Sequence, residues 1–437
     1  MLSEELISDS LKEVKLNITL ERFKEINKIL DYYSGSETDK YISTYFNPGT
    51  IKETAYANYN IFSRFIDKMS RIYQSGVKRT VNDEYSEMTR KKSIAMKQCE
   101  KMTNAVGTIG TIISLDNNNV FKYTNIYKFI PIFNDDVFNP DAIIYQSYLP
   151  ISDITNNKNT SWSYVDKDNI AKYDHNGTKI KQYRHNLGVL PVSFTHRNPQ
   201  IDSFFVEGAN DIMSTNEYIN VIMTDMRIGS RYQLWGQPWA TGLDSEQTII
   251  RMGADTVLGI PIDGKFDIAK PGGDINASIE LVKFMVELCA QNNHLWITWA
   301  EQGGEVPSGI SLMIKDIERH EDYIDDIELW REYERNIYDI EKTIAIKNNI
   351  TLPEKIGLDF IEPKYPLSTN DQILWDNHRL QHNIITETEL TLEYNPDLLN
   401  IKTAKSVWSK RKEINDKSNN QLYIQNTNTK TNKKSIE

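Results

Sequence analysis

Three residues between positions 259 and 265 have the types and spacing of a phosphate-binding loop. Gly259, Gly264 and Lys265 match the G-x-x-x-x-G-K pattern, in which backbone amides hold phosphates and the lysine reaches the terminal ones. A working loop also needs a Ser or Thr after the lysine to bind Mg²⁺, and a helix that starts at the Gly-Lys pair. Phe266 stands at the hydroxyl position, so the pattern is incomplete.

The sequence around this pattern favours a β-hairpin instead. Pro261 lies inside the loop, and the residues after Lys265, FDIAKPGGD, are not those of a helix start. The Asp-Gly dipeptide at 263–264 suits a tight turn between two strands. We therefore interpret residues 257–268 as two short β runs joined by a turn. A divergent nucleotide hydrolase remains the alternative.

Two histidines lie four positions apart in the sequence HRLQH. On a helix, His378 and His382 would face the same side and could bind one metal ion. A metalloprotease motif has Glu directly after the first histidine, and Arg379 stands there instead. We expect solvated histidines rather than a metal centre, with a metal-dependent hydrolase as an alternative.

The remaining candidate residues form no complete catalytic pattern. His175, His185 and His196 have no regular spacing, the sequence has no G-x-S-x-G elbow, and Cys99 and Cys289 stand outside known cysteine motifs. Between positions 315 and 341 eleven acids accompany four bases, and such a run is usually a solvated helix face. We expect a binding or architectural protein without a catalytic site, cofactor or metal.

The composition is that of a globular protein. The chain has 437 residues, 39% of them hydrophobic and 25% charged, which suggests two or three domains. Its net charge of −11 argues against tight binding of nucleic-acid phosphates, but permits a surface past which DNA moves. The cysteines are too few for a disulfide framework, and we find neither a secretory signal nor about 20 consecutive apolar residues. We expect a soluble intracellular product.

Hydrophobic periodicity predicts an α+β protein. The first 110 residues have a mainly helical pattern, and alternating runs rich in Tyr, Ile and Val predict antiparallel strands between 111 and 195. Two further helices flank a Gly- and Pro-rich stretch. The longest predicted helix covers about 310–346, and its apolar residues fall near a heptad stripe: Ile310, Met313, Ile317, Ile324, Ile327, Trp330 and Ile337.

The order of these elements resembles that of the portal (head-to-tail connector) proteins of tailed bacteriophages. The likeness extends from about residue 32 to 414. It rests on DYYSG before the helix NYNIFSRFIDKMSRIYQSGV, on LGVLPVSFTHRNPQ before a long helix, on EVPSGIS before the longest helix, and on YPLSTNDQILWDNHRLQHNIITETELTLEYNPDLLN near the C terminus. The order of the elements over nearly four hundred residues carries the resemblance.

The resemblance implies a portal-like fold with an α/β wing, a two-helix stem, a small β-containing clip, a long wing helix and a helical crown. The corresponding ranges are 1–202 (wing), 203–233 (first stem helix), 234–274 (clip), 275–300 (second stem helix), 301–311 (tunnel loop), 312–365 (long helix and returning wing strand), 366–416 (crown) and 417–437 (disordered tail).

The same resemblance implies a homododecameric ring at one capsid vertex, around the channel for packaging and ejection of double-stranded DNA. The implied partners are the large terminase subunit (the packaging ATPase), a head-tail adaptor, the major capsid and scaffold proteins, and DNA bound without sequence preference. The chain would belong to the virion, after assembly in the host cytoplasm, with no membrane contact. Another minor virion or adaptor protein remains an alternative.

Two segments would then contact DNA or partners. The clip offers Lys265 and Lys270, either for transient, salt-dependent phosphate contacts or as ordinary solvated lysines. It also offers Trp235 and Trp239 for subunit contacts or intrachain core. The acids between 315 and 341 would repel the duplex and prevent tight binding. The tunnel loop, which can flex through its glycines, would project into the channel, with a plain interhelical linker as the alternative. It consists of Glu301, Gln302, Gly303, Gly304, Glu305, Val306, Pro307, Ser308 and Gly309.

Overall fold

A computed structural model describes residues 18–47, 55–148, 160–174, 178–235, 237–241, 263–269, 275–297, 317–361, 369–395 and 401–413. Helices and strands are mixed along the chain, which confirms the predicted α+β class. The chain divides into a first unit, Met1–Ala300 with Asp316–Pro363, and a second unit, Glu301–Lys315 with Lys364–Glu437.

The N-terminal part of the first unit is helical. It contains α1 (Ile18–Ser34), α2 (Asp39–Ile42) with a 3-10 turn (Ser43–Tyr45), α3 (Ile61–Met69), α4 (Asp83–Met88) and α5 (Lys92–Val106), with strand β1 (Val77–Thr80) between α3 and α4. Helix α3 begins where the Asn60 side chain accepts the amide of Ser63, as an N-cap does. Its apolar residues recur at helical spacing and are buried in the core: Phe62, Phe65, Ile66 and Met69.

Antiparallel strands occupy the region in which alternation predicted them. They are β2 (Thr108–Leu115), β3 (Phe121–Ile126), β4 (Phe129–Ile132), β5 (Ala142–Tyr148), β6 (Thr160–Val165), β7 (Asn169–Tyr173), β8 (Lys179–Arg184) and β9 (Val192–His196). One sheet has the order β3-β2-β9, and the other is a five-stranded meander from β4 to β8. Strand β5 of the meander is buried on both faces, with Ile144 in one apolar cluster and Ile143 in another, whereas the edge strand β8 is mostly exposed.

Two helices and a two-stranded ribbon follow the sheets. Helix α6 (Asn210–Trp235) leads into β10 (Gln237–Thr241), which pairs antiparallel with β11 (Lys265–Ala269), and helix α7 (Ile275–Asn292) comes next. Beyond the end of α7, the Asn293 side chain donates to Asp211, at the start of α6, over 2.9 Å. Because the ribbon joins the opposite ends, α6 and α7 run antiparallel, and they pack against each other.

The longest described helix, α8 (Ile317–Lys347), crosses the first unit and packs on β2 and β9. Strand β12 (Gly357–Phe360) then returns to the N-terminal part and pairs antiparallel with β1, so that Val77 lies opposite Phe360. This pairing joins two segments that are nearly three hundred residues apart in the sequence.

Two glycines allow the end of α5 to touch the start of α6. A Cβ atom on Gly107, whose φ is +92°, would lie 2.0 Å from the carbonyl oxygen of Val206, and one on Gly208 would lie 2.2 Å from that of Ala105. Both distances are far inside van der Waals contact. At this crossing the amide of Ala209 donates to Ala105 O over 3.1 Å.

The second unit is helical in its described part. It contains α9 (Thr369–Gln381), α10 (Glu387–Glu393) and a helix over residues 401–413, labelled α11. A capping box begins α10, since Thr386 and Glu389 bond each other's backbone amides. Arg379 of α9 reaches Glu393 of α10 over 2.8 Å.

Two sequence predictions about helices need correction. Helix α7 ends at Asn292 rather than near 300, because His294 has a left-handed φ of +52° and the amide of Leu295 turns back to Ala290 O over 2.8 Å. On α8, Ile324 does not belong to the buried stripe but is 53% exposed, whereas Ile327, Trp330 and Ile337 are buried.

Candidate functional site

Two of the residues predicted for the clip, Trp239 and Lys265, lie on the β10–β11 ribbon, whereas Trp235 is the last residue of α6. Lys265 is exposed and is the first residue of β11, opposite Thr241 of β10. Trp239 lies opposite Asp267 and is 43% exposed, which makes it available to a partner surface. Lys265 therefore begins a strand, whereas a phosphate-binding loop requires a helix at this point.

Several predicted site residues lie outside the described part of the structure. They are Gly259, Lys270 and the whole tunnel loop from Glu301 to Gly309. The first of the two β runs predicted within 257–268 also lies there, and for Trp235 only the backbone is described. These assignments remain predictions.

An exposed apolar stripe runs along α7. Leu281, Phe284 and Leu288 follow one another at spacings of three and four, and are 47%, 59% and 45% exposed. This spacing places them on one helix face, while Val286, Cys289 and Ala290 are buried. Large apolar side chains grouped on one surface are characteristic of protein interaction sites.

Polar side chains of α6 hold the helix pair against the N-terminal part of the first unit. The side-chain oxygen of Asn216 accepts the amides of Ile61 and Phe62 over 2.6 and 3.0 Å. Asn220 bonds both the amide and the carbonyl of Tyr59, over 2.7 and 3.2 Å.

One turn further, Thr224 accepts the amide of Ala57 over 2.9 Å. These three α6 residues are buried and recur every four positions, so they form one ladder on one helix face. The ladder fixes α6 to residues 57–60 and to the start of α3, and thereby positions α7, whose stripe faces outwards.

A buried charge network anchors α8. Glu334 and Glu341 lie two turns apart on one face of the helix and have no solvent exposure. Lys92 of α5 lies 3.2 Å from Glu334 and 3.0 Å from Glu341, and Arg79 of β1 pairs with Glu334. The two acids and two bases balance in charge, as buried ions require.

Tyrosine hydroxyls complete this network. Tyr73 donates to Glu334 over 2.9 Å, while Tyr85 and Tyr123 donate to Glu341, the former over 2.7 Å. Burial, reinforced by the charge of Glu334, raises the pKa of Tyr73 well above its usual value, so this hydroxyl stays protonated as a donor.

The charges around Glu334 decide its protonation. Burial alone would raise the pKa of this carboxyl, but the charges of Lys92 and Arg79 and hydrogen bonds from Arg79 and Tyr73 outweigh burial and lower it to about 2. Glu334 is therefore ionised at neutral pH. From the sequence, Glu334 was expected to be one of the solvated acids of this helix. Only the spacing of seven residues between Glu334 and Glu341 could have suggested that both lie on one buried face.

The exposed acids of α8 are also largely paired. Glu328 contacts Arg331, Glu332 lies 3.4 Å from Arg335, and a further pair, 3.7 Å apart, joins Asp339 to Lys342. All three pairs lie beyond Ile327, so the acidic surface of this helix is concentrated near its start.

A polar cleft of about 460 Å³ opens beside that start, between α8, the end of α7 and the segment after β9. His294 lies 3.2 Å from Asp322, and Arg197 donates to Gly208 O over 2.9 Å and to the Asn293 side chain over 3.1 Å. The lining residues are Met69, Asn104, Arg197, Asn198, Pro199, Asn292, Asn293, His294, Asp322, Asp325, Asp326 and Leu329. They include no hydroxyl or thiol nucleophile.

Histidines and cysteines are placed without a catalytic arrangement in the described residues. His196 is buried, and its Nδ1 lies 3.0 Å from the Thr108 hydroxyl. Both cysteines are buried free thiols. Among the described side chains, no group of three or more His, Cys, Asp or Glu is placed to hold a metal ion.

No protein-family model and no curated protein matches this chain. None of the helices in the described ranges is both long and apolar enough to cross a membrane. The geometry of the described residues is therefore the basis for the functional assignment: a helix pair with an outward apolar stripe, a ribbon at its far end, and a long helix anchored by buried charges.

Proposed function

We propose that this chain is a portal protein of a tailed bacteriophage, a ring subunit at one capsid vertex that conducts double-stranded DNA. The observation that carries the proposal is the antiparallel α6–α7 pair. Its far end bears the β10–β11 ribbon, and its α7 helix exposes the stripe of Leu281, Phe284 and Leu288.

An exposed apolar stripe on one side of a helix pair favours association with another copy. If the stripe meets a different surface of that copy, the contact is heterologous, and a rotation that closes generates a ring. The 26 residues of α6 make a helix about 39 Å long at 1.5 Å per residue. About one turn of duplex, some 34–36 Å, would fit along such a helix.

The charge of the chain suits transport of DNA better than its storage. A net charge of −11 disfavours tight phosphate binding, so a duplex can pass without being held. Lys265, exposed on the ribbon, supplies a positive charge for transient contact.

In this assignment the elements take the roles that the resemblance implied. The N-terminal helices, the sheets and α8 form the wing, α6 and α7 the stem, β10–β11 the clip, and α9 to α11 the crown. The ribbon is the docking surface for the large terminase subunit and later for a head-tail adaptor, with Trp239 as its exposed aromatic contact.

Electron-microscope class averages of the purified chain, with mass measurement, test the proposal. A ring of twelve 50.6 kDa chains around an open channel has a mass of about 607 kDa. A chain that stays monomeric at every salt and protein concentration overturns the proposal, and so does ATP hydrolysis by the chain alone.

The α7 stripe is tested with a matched pair of variants. Phe284→Glu should abolish ring assembly, because it buries an unpaired charge in the subunit contact. Asn276→Glu, which introduces the same charge at an exposed position of α7 that lies off the stripe, should assemble normally. Both variants should melt like the wild-type monomer, since both side chains are exposed. If the Phe284→Glu variant still forms the ring, the stripe is not part of the subunit interface.

A further inference from the structure

His378 and His382 lie close together on an exposed face of the second unit. His382 follows the last residue of α9, and its amide still donates to His378 O over 3.0 Å, so the helical turn continues through it. The two imidazole rings have centroids 4.3 Å apart with an angle of 55° between their planes. Both side chains are exposed.

The chain after His382 is fixed in a way that holds this arrangement. Asn383 has a left-handed φ of +54°, and the amide of Ile384 turns back to Arg379 O over 2.9 Å. Such a helix end limits the motion of the last turn. The second histidine is therefore presented from a defined backbone position.

Neighbouring charges do not oppose a cation at this position. Arg379, which lies between the two histidines in the sequence, pairs with Glu393 over 2.8 Å and with Asp376 over 3.4 Å. Asp376 also accepts hydrogen bonds from Gln372 and Tyr394. This acid is committed to the contacts between α9 and the segment after α10, so it does not serve as a third ligand.

We propose that His378 and His382 bind one divalent transition-metal ion as a two-imidazole chelate, with water in its remaining positions. Metal–imidazole bonds of about 2.0–2.1 Å require two nitrogens no more than about 4 Å apart. Rings whose centroids are 4.3 Å apart reach this separation by side-chain rotation alone. This inference is independent of the proposed ring function.

The chemistry of the site predicts its selectivity. Neutral imidazole suits Cu²⁺, Ni²⁺ and Zn²⁺, and a site without imposed geometry follows the Irving–Williams order, in which Cu²⁺ binds most tightly. Carboxylate-preferring Mg²⁺ and Ca²⁺ should not bind here. Because the ligands must be deprotonated, metal affinity falls as the pH is lowered.

Titration calorimetry of the full chain with Cu²⁺, Ni²⁺ and Zn²⁺ tests the proposal. We expect one ion per chain, with His378→Ala and His382→Ala each weakening binding on the order of 100-fold, because two linked ligands act together. His320→Ala, which removes a histidine from α8, is the matched control and should bind like the wild type. Circular dichroism verifies that each variant keeps its helices.

A spectroscopic measurement separates chelation from binding by single histidines. Electron paramagnetic resonance of the Cu²⁺ complex should show two coordinating nitrogens in the wild type and one in either variant. The proposal is overturned if the wild type does not bind one ion per chain. It is also overturned if His320→Ala weakens binding as much as His378→Ala, or if the spectra of wild type and variants are the same.

Discussion

The ammonium group of Lys92 lies 3.0 Å from a carboxylate oxygen of Glu341, and neither side chain is exposed to solvent. The two residues are 249 positions apart. Their contact joins the end of α8 to the N-terminal helices, and Lys92 also reaches Glu334, two turns earlier. The position of the longest helix therefore depends on a few buried charges as well as on apolar packing.

Replacing Lys92 with Met should destabilise the first unit by about 3–5 kcal/mol, because two buried carboxylates would then share only Arg79 as a cation. The measurement is urea unfolding of the wild type and the variant in the same assembly state. Lys97→Met, at an exposed position of the same helix, should change the free energy of unfolding by less than about 0.5 kcal/mol.

A second substitution isolates the network. Glu341→Gln combined with Lys92→Met should recover part of the lost stability, since it removes one of the unpaired charges. If Lys92→Met unfolds at the same urea concentration as Lys97→Met, the buried network does not hold α8.

Gly208→Ala should cost about 3 kcal/mol or more, because its Cβ would lie 2.2 Å from the carbonyl oxygen of Ala105. Gly229→Ala is the matched control: this residue lies within α6 and a Cβ there meets nothing within 4 Å. The control should be neutral or stabilising by about 0.5–1 kcal/mol, because alanine favours a helix more than glycine. Equal melting temperatures for the two variants would contradict the close crossing of α5 and α6.

His196 should make stability depend on pH. Burial lowers the pKa of His196 to about 4, against 6.5 for an ordinary histidine. Between these two pH values, residue 196 is protonated in the unfolded chain and neutral in the folded chain. The free energy of unfolding therefore falls as the pH drops from 6.5 towards 4. The loss from this group is on the order of 3 kcal/mol.

His196→Asn should flatten the stability profile over this pH range, because asparagine cannot take up the proton. Thermal unfolding followed between pH 4 and 7 is the measurement. Glu334, whose pKa is lowered, contributes a separate loss as the pH falls from 4.5 to about 2. A profile that His196→Asn leaves unchanged would refute the assignment to this histidine.

Lys265→Ala should have no effect on nucleotide hydrolysis, because Lys265 begins a strand paired with β10 rather than a helix. We expect neither the wild type nor the variant to release phosphate from ATP above background. Lys283→Ala, at a lysine of α7, serves as the control. Turnover by the wild type that is lost only in Lys265→Ala would establish the nucleotide hydrolase instead.

Local patterns in the sequence were sufficient for the α+β class and for most element positions. Alternating side chains predicted the strand region between 111 and 195, because side-chain alternation is a property of each strand by itself. The strand start at Lys265 agrees with the absence of a helix signal after Gly264. The missing hydroxyl at Phe266 likewise argued against a nucleotide site from the sequence alone.

Tertiary contacts decided what the periodicity could not. Glu334 and Glu341 have the same residue type as the exposed Glu328, and only packing against Lys92 and Arg79 makes them core residues. The pairing of β1 with β12 and the ladder from Asn216 to Thr224 each join segments that are distant in the sequence. Phe284 is exposed because no segment of the described chain covers it. Burial of a charge depends on a partner brought close by the fold, and no local pattern identifies that partner.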